Sequence, residues 1–193
     1  MAAAIAKTSG GFLEPNPHQD GYPDLLLMDE KGKPAWDALV DRMNEKDPFS
    51  PFIGGGIEVK ATCGSVPTPK KCRDMEIQRP FIGDTRIECM VSYDWKAHHR
   101  ETNNLVGVLW DFIDQRPRVA SLFYSCKLND DDWGKIVKPK EGGGRTTSVS
   151  VMSSPGIQKM YSGWLCVLKS GGYAEFLNKK NRDFKIPIRP LGT

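Results

Sequence analysis

Nine residues, Leu105-Val106-Gly107-Val108-Leu109-Trp110-Asp111-Phe112-Ile113, form an almost wholly apolar run. A run of this length with no polar face reads as a strand covered on both sides. Asp114-Gln115-Arg116-Pro117 supplies a turn, and Val119 to Cys126 reads as the return strand of a hairpin in the same sheet. Asp111 is out of character inside such a strand. It reads first as a satisfied core carboxylate and second as a further acid of an active site. Strand signals outnumber helix signals along the chain, and they do not alternate regularly with helices. The expectation is therefore α+β: a mixed central β-sheet flanked by a few helices. At 193 residues, with 39% hydrophobic and 26% charged residues, the chain suits one globular domain with a sizeable core.

The stretch Gly54-Gly55-Gly56-Ile57-Glu58-Val59-Lys60-Ala61-Thr62 alternates strictly. Read as a strand, it turns Ile57, Val59 and Ala61 to one face and Glu58 and Lys60 to the other, with about 7 Å between the Cα atoms of the two charged residues. An acid and a base on one face of an otherwise apolar strand are costly to bury without partners. They make sense at a sheet rim facing a metal or an anionic substrate. The preceding glycines leave room for another backbone or a ligand to approach closely. Upstream, Gly21-Tyr22-Pro23-Asp24-Leu25-Leu26-Leu27-Met28 places Asp24 directly before a short apolar run. Proline is tolerated at a strand start, so the run reads as a buried strand. If the two strands pair antiparallel, Asp24, Glu58 and Lys60 converge at one end of the sheet.

Pro-Asp, a spacer and Glu-x-Lys together resemble the signature of the PD-(D/E)XK nuclease superfamily, which includes most type II restriction endonucleases. The resemblance implies a restriction-endonuclease-like fold. It implies Asp24 and Glu58 as ligands of a divalent metal, magnesium with manganese as a substitute, and Lys60 as the catalytic lysine that assists the attacking water. It also implies a magnesium-dependent endonuclease hydrolysing phosphodiester bonds of double-stranded DNA, with a sequence-specific homodimeric restriction enzyme favoured over a repair nickase or a resolvase. The alternative is a non-catalytic DNA-binding or protein-interaction domain, with the acids as ordinary surface charges. Members of the superfamily usually carry a helix, often bearing another acid, before the first active-site strand. Here there is almost no room for one, which leaves open whether the chain is a piece of a larger protein.

The rest of the chain fills in around these strands. Residues 1–20 read as irregular, apart from a short helix over the alanines, because Glu14-Pro15-Asn16-Pro17-His18 breaks both helix and ladder. Glu14 and His18 read as solvated loop residues, with a role near the metal as the sharper alternative. Residues 33–47 read as a helical insertion between the two motif strands, with Pro34 at its first position and Trp36, Leu39, Val40 and Met43 on one stripe. The loop after the Glu58 strand offers Ser65, Lys70, Lys71 and Arg73, as contacts to a DNA backbone or as plain solvated surface. The same two readings apply to Lys138, Lys140 and Arg145 in a basic, glycine-rich segment. Ile87 to Trp95 reads as a strand. His98 and His99 are adjacent, so they cannot share one strand or helix face as a metal pair. Asn129 or Asp130 reads as the cap of a short helical turn. Thr146 to Met152 alternates like a half-exposed strand. Helix and strand signals compete from Pro155 to Leu168, and Tyr173 to Lys180 reads as a short amphipathic helix.

The net charge of +3 permits nucleic-acid binding without arguing strongly for it. No apolar run approaches the roughly 20 residues of a membrane span, and the first residues are too weakly apolar for a secretory signal. Five cysteines at wide spacing, with no Cys-x-x-Cys pair, argue against a zinc site or a disulfide framework. Reduced thiols in a cytoplasmic protein are the expectation. No Walker loop, Gly-x-Ser-x-Gly elbow or His-Glu-x-x-His motif points to other hydrolytic chemistry.

Overall fold

A computed structural model describes residues 1–93, 95–97, 102–139, 148–169, 172–181 and 185–187. Among the described residues there are eight strands: β1 (Leu13–Pro15), β2 (Leu25–Leu27), β3 (Gly56–Thr62), β4 (Lys96–Ala97), β5 (Leu105–Ile113), β6 (Arg116–Ser125), β7 (Ser150–Val151) and β8 (Trp164–Val167). Five α-helices accompany them: α1 (Ala2–Thr8), α2 (Gly32–Asp37), α3 (Pro69–Asp74), α4 (Ser154–Ser162) and α5 (Tyr173–Lys180). The fold is α+β. Six strands form one sheet in the order β1-β2-β3-β5-β6-β8, and β4 and β7 form a small second one. The chain divides into two compact units, one comprising Met1–Val59 with Asn104–Val106, the other Lys60–Asn103 with Gly107–Thr193.

In the first unit β1, β2 and β3 pair antiparallel, with Leu13 opposite Leu27 and Leu25 opposite both Pro15 and Ile57. Opposed residues share a face. Leu13, Leu25, Leu27, Ile57 and Val59 accordingly pack with Ala2, Ile5 and Ala6 of α1. The other face carries Leu26, which packs with Phe49, Phe52, Trp36 and Leu39. Leu25 and Leu26 are both wholly buried, and each contributes about 1.5–3 kcal/mol by leaving water. Gly56 sits where a Cβ would lie 1.9 Å from the Leu25 carbonyl oxygen. The close approach expected of the glycines is thus made by a neighbouring backbone.

The second unit is built on β6 and β8, antiparallel, with Ser121 opposite Val167 and Phe123 opposite Trp164 across a bulge. Its core gathers Tyr93, Trp95, Phe123 and Tyr161 as mutually tilted and edge-on rings, with Phe176 stacked on Tyr93 at 5.0 Å. A Cβ on Gly107 of β5 would meet Met160 at 2.7 Å and Trp95 at 2.9 Å, which explains a glycine inside an otherwise apolar strand.

Several sequence expectations differ from what is observed. Residues 1–20 are not irregular apart from α1: Glu14 and Pro15 belong to β1. Pro15 is compatible with a ladder because β1 ends the strand order, where a missing N–H costs little. The helical insertion over 33–47 is two short pieces, α2 and a 3₁₀ turn at Val40–Arg42. Pro34 is the third helical residue rather than the first, and Val40 is 49% exposed, off the packed stripe. The loop beyond β3 folds into α3, capped by the Thr68 side chain accepting from the Lys71 N–H, with Pro69 at the first position. Ile87 to Trp95 is not a strand. Among the described residues of this stretch only Ser92 bridges, to Ser65, and regular pairing begins at Lys96. The competing signals from Pro155 to Leu168 resolve in sequence, α4 and then β8.

Candidate active site

The antiparallel register of β2 on β3, Leu25 opposite Ile57 and Leu26 opposite Gly56, continues by one step to set Asp24 against Glu58. Directly opposed residues share a face, with Cβ atoms about 4.5–5.5 Å apart. Two hydrogen bonds lock the arrangement. The Asp24 N–H donates to Glu58 Oε2 at 3.1 Å, and the Val59 N–H donates to Asp24 Oδ2 at 2.8 Å. Each carboxylate is therefore held by the other strand's backbone. Glu58 is 4% exposed and Asp24 half-buried. The apolar alternation causes this orientation: Leu25, Ile57 and Val59 are committed to the α1 layer, so Asp24 and Glu58 must take the opposite face.

Like charges set directly across a strand pair repel. Two carboxylates in this relation could offer oxygens to a hard cation. Lys60 stands two residues further along β3, half-buried, at the next position on the Glu58 face. β3 passes from the first unit to the second between Val59 and Lys60.

Two asparagines hold the frame. The Asn16 N–H donates to the Asp24 carbonyl at 2.9 Å, and its side-chain Nδ2 donates to the carbonyls of Pro23 and Phe49. On the far side of β3 the Asn104 carbonyl accepts the Glu58 N–H at 3.0 Å, and Asn104 Nδ2 donates to the Gly56 carbonyl. Sequence reasoning missed both. Asn16, between two prolines, signals only a turn, and Asn104 only the edge of an apolar run. Glu14 lies opposite Leu26, which puts it in β1 on the Asp24 face rather than in a solvated loop. His18 closes a local turn by accepting from the Asp20 N–H.

The other residues singled out in the sequence belong to the second unit. Ser65 pairs with Ser92, hydroxyl to hydroxyl at 2.5 Å, which occupies the side chain internally. Lys70, Lys71 and Arg73 are exposed on α3, and Lys138 is exposed. Lys140, Arg145, His98 and His99 lie outside the described residues. Asp111 is wholly buried and satisfied: it accepts from the N–H groups of Arg86, Ile87 and Phe112, and from the Tyr173 hydroxyl at 3.0 Å. Burial, with the Asp111 charge added, pushes the Tyr173 phenol well above its ordinary range. Asn129 caps the 3₁₀ turn Asp130–Asp132, and Asp132 Oδ2 accepts from the Asn129 N–H and pairs with Lys159 at 2.7 Å. All five cysteines are free thiols. A cleft of about 390 Å³ beside α5, lined by Glu88, Phe176 and Lys180 among others, shares no residue with the carboxylate pair. Among the described residues no helix is long and apolar enough to cross a membrane.

No protein-family model, no curated protein and no solved structure matches the chain.

Proposed function

We propose that the chain is a metal-dependent endonuclease that hydrolyses phosphodiester bonds in double-stranded DNA. The observation that carries this reading is the cross-strand pair Asp24–Glu58, each carboxylate anchored by the opposing backbone. Asp24 and Glu58 are the oxygen ligands for magnesium, or manganese in its place. The bound ion would supply Lewis-acid stabilisation of the phosphate and acidify the attacking water. The backbone N–H bonds from Asp24 and Val59 fix where the two carboxylates present their oxygens, so little reorganisation accompanies the reaction. Lys60 orients the water and offsets the charge that builds on the phosphate oxygens. Lys70, Lys71 and Arg73 on α3, with Lys138, contribute phosphate contacts that hold the duplex without reading its sequence. A two-fold homodimer would present one such centre to each DNA strand.

The test is supercoiled plasmid incubated with magnesium. Wild type nicks or linearises it, while Asp24→Asn, Glu58→Gln and Lys60→Ala each cut at least about 10²-fold more slowly. Equal cutting by the three variants moves the centre elsewhere. Duplex binding that persists in EDTA, with no cutting in magnesium, identifies a non-catalytic DNA-binding domain instead.

A further inference from the structure

The β5–β6 hairpin is exposed at its tip and anchored at its root. Residues 114–119 are all exposed, and burial resumes only at Ala120. On the outer side β8 pairs with Ser121, Leu122 and Phe123, and the Leu168 N–H reaches the Ala120 carbonyl. Among the described residues no strand pairs with residues 116–119 on that side. The root is held by Asp111 of β5, whose buried carboxylate accepts the backbone N–H groups of Arg86 and Ile87. One residue further, the Phe112 carbonyl accepts the Thr85 hydroxyl at 2.7 Å, and the Phe112 ring meets Trp110 edge to face at 5.5 Å. A ribbon anchored in this way has little ordering left to lose on docking.

Arg116 and Arg118 lie on one face of β6, about 7 Å apart, and neither pairs with a carboxylate among the described residues. Across residues 114–119 two cations, Arg116 and Arg118, stand against one acid, Asp114. Pro117 between them lacks an N–H, and a proline with cations on an open edge resists addition of a further strand. A partner at this edge therefore meets side chains rather than backbone. Protection of an edge does not call for Gln115. Gln115 sits in the left-handed region at φ 61°, where glycine and asparagine are favoured, and its side chain is exposed. A strained residue kept at an exposed turn points to a use for its side chain. Its amide presents a donor beside an acceptor, the match for adenine N7 and N6, and the arginine fork matches guanine O6 and N7. The major groove admits a two-stranded ribbon, and the Arg116–Arg118 spacing equals the rise of about two base steps at ~3.4 Å each. We infer that the β5–β6 hairpin tip enters the major groove of duplex DNA, where Gln115, Arg116 and Arg118 read base edges. The choice of DNA rests on the endonuclease reading above, to which the hairpin adds sequence preference.

The experiment selects duplexes from a randomised pool with the full chain in EDTA, so that no cutting intervenes. Wild type enriches a short motif. Gln115→Gly, which melts no lower than wild type, loses the preference at one base pair of that motif. Arg118→Ala loses the preference for a guanine and binds the motif at least about tenfold more weakly. Replacing that guanine by 7-deazaguanine weakens wild type and leaves Arg118→Ala unchanged. Variants that select the wild-type motif with wild-type affinity overturn the hairpin reading. So does a wild type that binds every sequence alike, or none. Asp24→Asn separates the two proposals: it keeps the motif and loses cutting in magnesium. Motif selection by a wild type that never cuts overturns the nuclease reading alone, and sequence-specific cutting that the hairpin variants leave unchanged overturns the hairpin alone.

Discussion

Asp24 and Glu58 are instructive because nothing local makes them partners. They are 34 residues apart, and one cross-strand register brings them face to face. Two opposed carboxylates repel, so Asp24→Asn leaves stability in EDTA unchanged or slightly raised, by up to about 1 kcal/mol. The same variant loses the rise in melting temperature that wild type shows with magnesium. Thermal melting with and without the ion reads both effects, and a rise that survives in Asp24→Asn removes the pair from metal binding. Asp111 makes the opposite case. It takes three backbone N–H groups and one phenol in a site closed to water. Asp111→Ala strands those donors and costs about 3–5 kcal/mol in urea denaturation. Tyr93, with a buried hydroxyl that has no hydrogen-bond partner among the described residues, behaves differently. Tyr93→Phe is neutral or stabilising by about 1 kcal/mol, since it removes an unpaired polar group.

Among the elements, the β5–β6 hairpin was the most legible. Its apolar strand fell at Leu105–Ile113 as the pattern required, because a nine-residue run broken only by Asp111 admits few other fates. The turn is tighter than the Asp114-to-Pro117 stretch suggested, with β6 beginning at Arg116. Asp114 and Gln115 both adopt the left-handed region, at φ 52° and 61°, as two-residue hairpins demand. Gln115 gains nothing from that conformation. Gln115→Gly therefore stabilises the protein by about 1 kcal/mol, measured as a shift of the urea midpoint. Helix α3 was hidden because its six residues carry no apolar periodicity; it rests on the Thr68 cap and on Cys72 buried beneath it. Thr68→Ala costs about 1 kcal/mol on the same measurement.

For the whole molecule, two buried phenols contribute to the loss of stability at alkaline pH. Burial raises both Tyr93 and Tyr173; the neighbouring Tyr161 and Tyr173 phenols and then the Asp111 charge add to Tyr93, and the Asp111 charge adds to Tyr173. In the unfolded chain a phenol loses its proton near pH 10, whereas in the folded protein it holds on higher. The stability associated with these protons is therefore complete below about pH 10 and is lost as pH rises past it. Urea midpoints are expected to fall from about pH 10 upward, with a shallower fall in Tyr173→Phe. An identical fall in that variant would take Tyr173 out of the account.

By itself the sequence determined the class of fold, the long hairpin, α5, and the two faces of β3, because each follows from the period of apolar residues along one segment. It also marked Glu58 and Lys60 as the residues to watch, from the polar face of an alternating strand, and Asp24 from its place directly before a short apolar run. Tertiary structure alone decided that Asp24 opposes Glu58, that Asn16 and Asn104 brace them, that Pro15 joins a ladder at its edge, and which donors satisfy Asp111, already read from the sequence as a core carboxylate. Those outcomes depend on strand register and on which donors a buried carboxylate meets. Both are set by residues tens of positions away, and no local periodicity records them.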